Sequence, residues 1–237
     1  MLHGLAGFDA GRRWLDALSA ETHVAAVRLP GFGGPPIPYW FDSIDDLVLA
    51  IDELATVFAE ERQIILVGLS LGGWVAAELA VRRPSWLGRL VLVNAVGAKF
   101  GAPDQREIAD LWAHSPAQLA DLMFHDSEIG LAHFRFAERD VEDLRVVAQS
   151  DEAVVRYAWE PYMHNPKLRA RLVRIDVPTR VLWGANDQFV SPEYGRALTA
   201  AIPHARFEVI GGAGHMPDIE QPDQLAALVS EFVRLPG

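Results

Sequence analysis

The stretch Ile64-Ile65-Leu66-Val67-Gly68-Leu69-Ser70-Leu71-Gly72-Gly73 constrains this chain more than any other. An apolar run of strand length passes within a few residues into Trp74-Val75-Ala76-Ala77-Glu78-Leu79-Ala80, which reads as a buried helix from about Leu71 to Arg82, stopped by Pro84. A strand that turns this sharply into a helix needs small residues where its backbone doubles back. Gly68 and Gly72 stand two positions either side of Ser70. An ordinary loop serine needs no such surroundings; a hydroxyl held up on a tight turn does. The G-x-S-x-G pattern in a strand-turn-helix context therefore points to an exposed nucleophile with helix N–H groups beside it.

The rest of the chain repeats the alternation. Val24-Ala25-Ala26-Val27 reads as a short buried strand. Ser43 with Asp46 three residues on opens a helix whose apolar face is Leu47, Ile51, Leu54 and Phe58. Strands are predicted over 64–67, 90–93, 180–183 and 206–210. Ser191 caps a helix with Pro192 in its first turn, and a last helix covers 223–234. Strands alternating with helices give the α/β class, a mostly parallel central sheet with flanking helices. Residues 98–176 break the rhythm. They are helical in pattern and punctuated by Asp104, Ser115, Asp140 and Pro161. The chain divides into a core over 1–97, a helical lid over 98–176 and a second core part over 177–237. A lid would cover the carboxyl ends of the strands, where open α/β sheets bind ligands; the plainer alternative packs these helices on the sheet edge.

Composition excludes several functions. The net charge of −11 over 237 residues repels nucleic acid and anionic membrane surfaces. The absence of cysteine removes disulfides, thiolate metal sites and cysteine nucleophiles. No apolar run reaches the roughly 18–20 residues that span a bilayer. The opening MLHGLAGFDAGRR lacks the basic start and apolar centre of a signal peptide, so a cytoplasmic location is expected. No H-E-x-x-H or comparable spacing occurs, and neither a metal nor a cofactor is expected. Gly31-Phe32-Gly33-Gly34-Pro35-Pro36 is a turn and not a phosphate loop, because prolines stand where a helix would start. The oligomeric state is not legible.

A serine needs a base, and the base an orienting group. Leu182-Trp183-Gly184-Ala185-Asn186-Asp187 sets a carboxylate just past one strand, and Gly211-Gly212-Ala213-Gly214-His215 sets an imidazole just past the next. Neighbouring parallel strands deliver their following loops to one edge, so Ser70, Asp187 and His215 can meet there. Asp176, Asp218 and Glu220 read as surface carboxylates. His3 reads as a hydrogen-bonding group of its turn, and His114, His125, His133 and His164 as surface or packing residues. Trp112, Phe124, Phe134 and Trp159 read as the core of the lid.

With these residues the chain resembles the α/β-hydrolase superfamily, in its lidded esterase-like branch, over essentially its whole length. The tail IPHARFEVIGGAGHMPDIEQPDQL is especially similar. The resemblance implies Ser70 as nucleophile, His215 as general acid/base and Asp187 as its orienting carboxylate. His3-Gly4-Leu5 matches the family's HG-x turn, which implies an oxyanion hole from the backbone N–H groups of Leu5 and Leu71. Arg28 departs from the pattern, since the family places an acid before P-G-x-G. Serine at position 70 separates this chain from relatives that attack with aspartate. C–C bond hydrolases often carry asparagine before the serine and tryptophan after the histidine; here those are Leu69 and Met216. The expected activity is hydrolysis of a small, largely apolar carboxylic ester or lactone through an acyl-enzyme. C–C cleavage and slow-turnover ligand reception remain as alternatives. The family also places further edge strands before HG-x, so the sequence predicts missing N-terminal edge strands. An upstream extension in frame would then give a more soluble and more active protein, and a longer start could carry a signal.

Overall fold

The computed structural model describes residues 1–8, 10–59 and 63–235. Four strands, β1 (Ile64–Leu69), β2 (Leu87–Val93), β3 (Thr179–Gly184) and β4 (Arg206–Ile210), form a parallel sheet in the order β1-β2-β3-β4. Among the described residues the helices are α1 (Arg12–Ser19), α2 (Ile44–Ala59), α3 (Ser70–Ala80), α4 (Pro116–Met123), α5 (Ser127–His133), α6 (Val141–Ala158), α7 (Leu168–Arg171), α8 (Pro192–Ala201), α9 (Pro217–Glu220) and α10 (Pro222–Arg234). The register sets Leu69 beside Val93, Val93 beside Leu182, and Gly184 beside Ile210. The carboxyl ends of all four strands therefore finish at one edge, which is what brings their loops together.

Helices cover both faces, as a parallel sheet requires. On one face Trp14 and Leu18 of α1 and Val229 and Phe232 of α10 pack on Val67, Val91 and Leu182. On the other, residues of α2, α3 and α8 pack on Leu66, Leu90, Val181 and Trp183. Every residue of β3 is buried. Its one charge, Arg180, meets Glu208 at 2.9 Å and Glu231 at 3.3 Å, so the guanidinium is paired where it is desolvated.

Sequence expectations about local structure change first at residues 24–27 and in α2. Residues 24–27 do not form a strand. Val27 makes a single parallel bridge to Leu2, which in turn bridges Gly68, while Ala25 and Ala26 are exposed. One rung on each side of Leu2 is too little pairing to hold a run of extended residues. In α2 the cap is as read: the Ser43 N–H and hydroxyl donate to Asp46 Oδ2 at 3.0 and 2.7 Å. The buried residues, however, are Ile44, Leu47, Val48, Ile51 and Ala59. Leu54 and Phe58 are exposed. The helical period continues to Phe58, but most of the packing lies on the first half of the helix.

Between β2 and β3 the helices begin only at Pro116. Residues 98–115 hold turns and one isolated bridge, Ile108 with Val190, and Asp104 sits in a turn. Ser115 and Gln118 then form a reciprocal capping box on α4, Asp126 caps α5, and Asp140 caps α6 by accepting from the Asp143 N–H at 2.8 Å.

Candidate active site

Ser70 is the first residue of α3 and follows β1 directly, with φ at +47°. A side chain with a Cβ seldom takes that backbone conformation, so the surrounding structure must hold it there. The glycines explain how. A Cβ on Gly68 would collide with the Gly72 carbonyl, and one on Gly72 would lie 2.5 Å from the His3 carbonyl oxygen. The Gly72 N–H donates to that same His3 oxygen at 3.1 Å, fastening the first turn of α3 to the N-terminal segment.

His215 and Asp187 arrive from the loops after β4 and β3. His215 Nε2 lies 2.9 Å from Ser70 Oγ, and Nδ1 lies 2.8 Å from Asp187 Oδ2. All three residues are buried, so Ser70 is raised on its turn but is not the exposed nucleophile that the sequence predicts. A carboxylate only accepts, so the Nδ1 proton points at Asp187 and Nε2 is left as acceptor for the Ser70 hydroxyl. Asp187 is itself held. Its Oδ2 accepts from Asn94 Nδ2 at 2.6 Å and its Oδ1 from the Val190 N–H at 2.9 Å. The edge of Phe189 meets the imidazole with ring centroids 4.8 Å apart.

Asn94 was not anticipated from the sequence. It follows β2 with φ at +44°, donates to Asp187 and to the Gly214 carbonyl, and accepts from the Gly184 N–H at 3.2 Å. One amide thus braces both loops. An asparagine at a strand end is the only local hint, because its partners lie 90 or more positions away.

The oxyanion donors expected from the sequence are the N–H groups of Leu71 and Leu5. Leu71 is the next residue of α3 and is fully buried. Gly4, which precedes Leu5, is so close that an added Cβ would stand 3.8 Å from Ser70 Oγ. His3 accepts from the Leu29 N–H at Nε2, 3.0 Å, so its Nδ1 donates to the Gly4 carbonyl at 2.7 Å and shapes that turn.

A cavity of about 590 Å³ has Leu5 and Met216, the chain neighbours of Gly4 and His215, in its wall. The helical insertion supplies most of the remainder, including Trp112, Leu119, Phe134 and Val154. His133 also faces it. Burial, with the Arg139 charge as the lesser cause, lowers the imidazole to about 4, so at neutral pH it carries no charge.

Three groups differ from their sequence readings. Trp112 and Trp159 are not core. They are exposed and meet edge to face at 5.2 Å, with Trp112 reaching into the cavity. Asp218 is not at the surface. Its carboxyl is buried against Gly11 at the start of α1, and burial pushes it up to about 6. Glu220 is half-buried and accepts three backbone N–H groups, those of His125, Asp126 and Gly214. Asp176 does lie at the surface, paired with Arg83. Among the described residues no cluster of His, Asp or Glu could hold a metal ion, and no helix is long and apolar enough to cross a membrane.

The sequence profile of the alpha/beta hydrolase family matches residues 1–228, and the chain belongs to that family. It is 28% identical over 245 residues to a pimeloyl-[acyl-carrier protein] methyl ester esterase of Edwardsiella ictaluri, covering 98% of this chain and 91% of that protein. It is 26% identical over 253 residues to a 2-hydroxymuconate semialdehyde hydrolase of a Pseudomonas species, covering 98% and 85%. It is 29% identical over 259 residues to the biotin biosynthesis bifunctional protein BioHC of Teredinibacter turnerae, covering 98% of this chain but 44% of that protein's length. Its relatives are hydrolases, among them esterases, lipases and C–C hydrolases.

Proposed function

We propose that this chain is a serine hydrolase that cleaves a small, largely apolar carboxylic ester or lactone, with Ser70, His215 and Asp187 as its catalytic residues. The observation that carries this reading is the unbroken hydrogen-bonded chain from Ser70 Oγ through the imidazole to Asp187. His215 Nε2 takes the hydroxyl proton as Ser70 Oγ attacks the carbonyl carbon. The imidazolium that forms is stabilised by Asp187, which Asn94 and Val190 keep in place. The developing oxyanion is met by the backbone N–H groups of Leu5 and Leu71, each worth about 3–4 kcal/mol in related chemistry. Collapse returns the proton to the leaving oxygen, and a water activated by His215 then hydrolyses the acyl-enzyme. In this reading the helices of 98–176 are a lid, and Trp112, Leu119 and Phe134 form the wall that meets the acyl or alcohol part. No cofactor takes part.

Labelling by a fluorophosphonate tests the assignment. Intact-protein mass spectrometry should find one adduct, on Ser70, and Ser70→Ala should lose both the adduct and ester turnover. An adduct on another serine with Ser70 untouched would overturn it. A second reading, hydrolysis of a C–C bond in an oxo-dienoate, is favoured by the similarity to the 2-hydroxymuconate semialdehyde hydrolase and to a 2-hydroxy-6-oxo-2,4-heptadienoate hydrolase of Pseudomonas putida. Turnover of such a substrate at a higher kcat/KM than any simple ester would select that reading over the first.

A further inference from the structure

Besides Asn94, a second side chain reaches several parts of the site, and it does so from the opposite side. Glu220 closes α9, and its backbone is fixed by an N–H bond to the Met216 carbonyl at 3.0 Å. Its Oε1 accepts from the N–H groups of His125 and Asp126 at 2.8 and 2.9 Å, two of the three residues that join α4 to α5. Its Oε2 accepts from the N–H of Gly214 at 2.7 Å. The Gly214 carbonyl is bound by Asn94, so the residue leading into His215 is held at both its N–H and its carbonyl. The carbonyls that end α4 complete the joint: Met123 accepts from the His215 N–H at 2.6 Å and Leu122 from the Gln188 N–H at 3.0 Å. There is no slack at this joint, since a Cβ on Gly214 would lie 2.5 Å from the Met123 oxygen. The next residue, Phe124, packs against His133 and Phe134 of the cavity wall.

We propose that Glu220 is a positioning residue that ties the helical insertion to the His215 loop, so that the cavity wall and the imidazole move as one body. The proposal rests on the hydrolase reading above. Three charge-assisted bonds to three backbone donors are what a carboxylate can offer and an amide cannot, because the amide nitrogen would face an N–H.

The test uses Glu220→Ala and Glu220→Gln in the full chain, with p-nitrophenyl acetate as substrate and turnover counted per Ser70 titrated by fluorophosphonate. Hydrogen exchange read by mass spectrometry is followed in parallel. For Glu220→Ala, kcat per titrated site should fall about tenfold or more. KM for this short ester should stay within twofold. Glu220→Gln should fall between that variant and wild type, because its single oxygen can still serve one side of the joint. Exchange should quicken together over 122–126 and 213–216, segments almost ninety residues apart in sequence. A kcat within threefold of wild type per titrated site, or faster exchange in one segment alone, would overturn the assignment. Should the wild-type protein fail to label at Ser70, the hydrolase reading falls and the positioning role of Glu220 falls with it. Labelling with an unchanged kcat in Glu220→Ala removes the Glu220 assignment alone.

Discussion

The sheet with its α3 turn and the helical insertion between β2 and β3 are built on opposite terms. Every residue of α3 is buried and every residue of β3 is buried. In α6, eighteen residues long, only Ala153, Val154, Tyr157 and Ala158 are buried. Near-complete burial fixes atoms to the tolerance that proton transfer needs. Partial burial leaves a wall that can differ in shape without unfolding the protein. The difference suggests that reaction chemistry is held by the first region and substrate choice by the second, and substitutions on the two sides should separate accordingly.

The largest effect is expected in the sheet region. His215→Ala should lower turnover of a simple ester by about 10⁴–10⁶-fold, the loss that follows removal of a proton-shuttling group. Asp187→Asn should cost about 10⁴-fold, since an amide in its place no longer enforces the tautomer with the proton on Nδ1. Steady-state rates on p-nitrophenyl esters measure both. Near-wild-type turnover by Asp187→Asn would mean that another carboxylate orients His215, and the buried Asp218 would be the first to try.

Asn94→Ala is expected next, at about 10–100-fold in kcat, the value of one hydrogen bond to a charged group read as a rate. It is also the residue that best shows where sequence reading stops. Ser70, Asp187 and His215 could be placed at one edge because each follows an apolar run, and runs of that kind are visible in the sequence. The partnership of Asn94 with Asp187 depends on Val93 standing beside Leu182 in the sheet, a register that the sequence does not specify. Asp218 and Glu220 were read as surface groups for a related reason. Their burial comes from α1 and from the α4–α5 junction, both remote in sequence. Residues 98–115 were read as helical although they are turns, whereas α4 and α6 were marked by the caps Ser115 and Asp140. Local chemistry was legible; long-range partners were not.

The two regions should also respond to pH with opposite sign. Asp218, beneath the sheet-side helix α1, is pushed up to about 6 by burial, with its own backbone N–H and His215 pulling weakly the other way. The folded state therefore binds its proton more tightly than the unfolded chain. Its contribution is most favourable below about pH 4 and is lost as pH rises to about 6, by up to about 3 kcal/mol. His133, in the insertion, is lowered to about 4, first by burial. The folded state prefers it neutral, so its contribution is present above about pH 6.5 and lost as pH falls towards 4, again by up to about 3 kcal/mol. Urea unfolding at pH 4.5 and 7.5 distinguishes them. Asp218→Asn should gain stability at pH 7.5 relative to pH 4.5, and His133→Phe the reverse. The same sign for both would show that one of the two groups is not buried as described.

The smallest effect tests the comparison most sharply, because it should change substrate choice and nothing else. Trp112 is exposed on its outer side, meets Trp159 at 5.2 Å and Tyr162 at 6.2 Å, and presents its inner side to the cavity. An aromatic pair of this kind contributes about 0.5–1.5 kcal/mol. A residue so exposed contributes little more to the core, so Trp112→Ala should leave the unfolding temperature within about 6 °C of wild type. A long acyl chain that lies against the indole would lose contact of similar worth, which corresponds to about a three- to tenfold rise in KM. An acetyl ester has no acyl chain to lie against the indole, so its KM and kcat should stay within twofold. Equal rises in KM for both esters would mean that the substitution has disturbed Ser70 or His215 through the fold. No rise for either would place the acyl chain elsewhere and remove the insertion's claim to substrate choice.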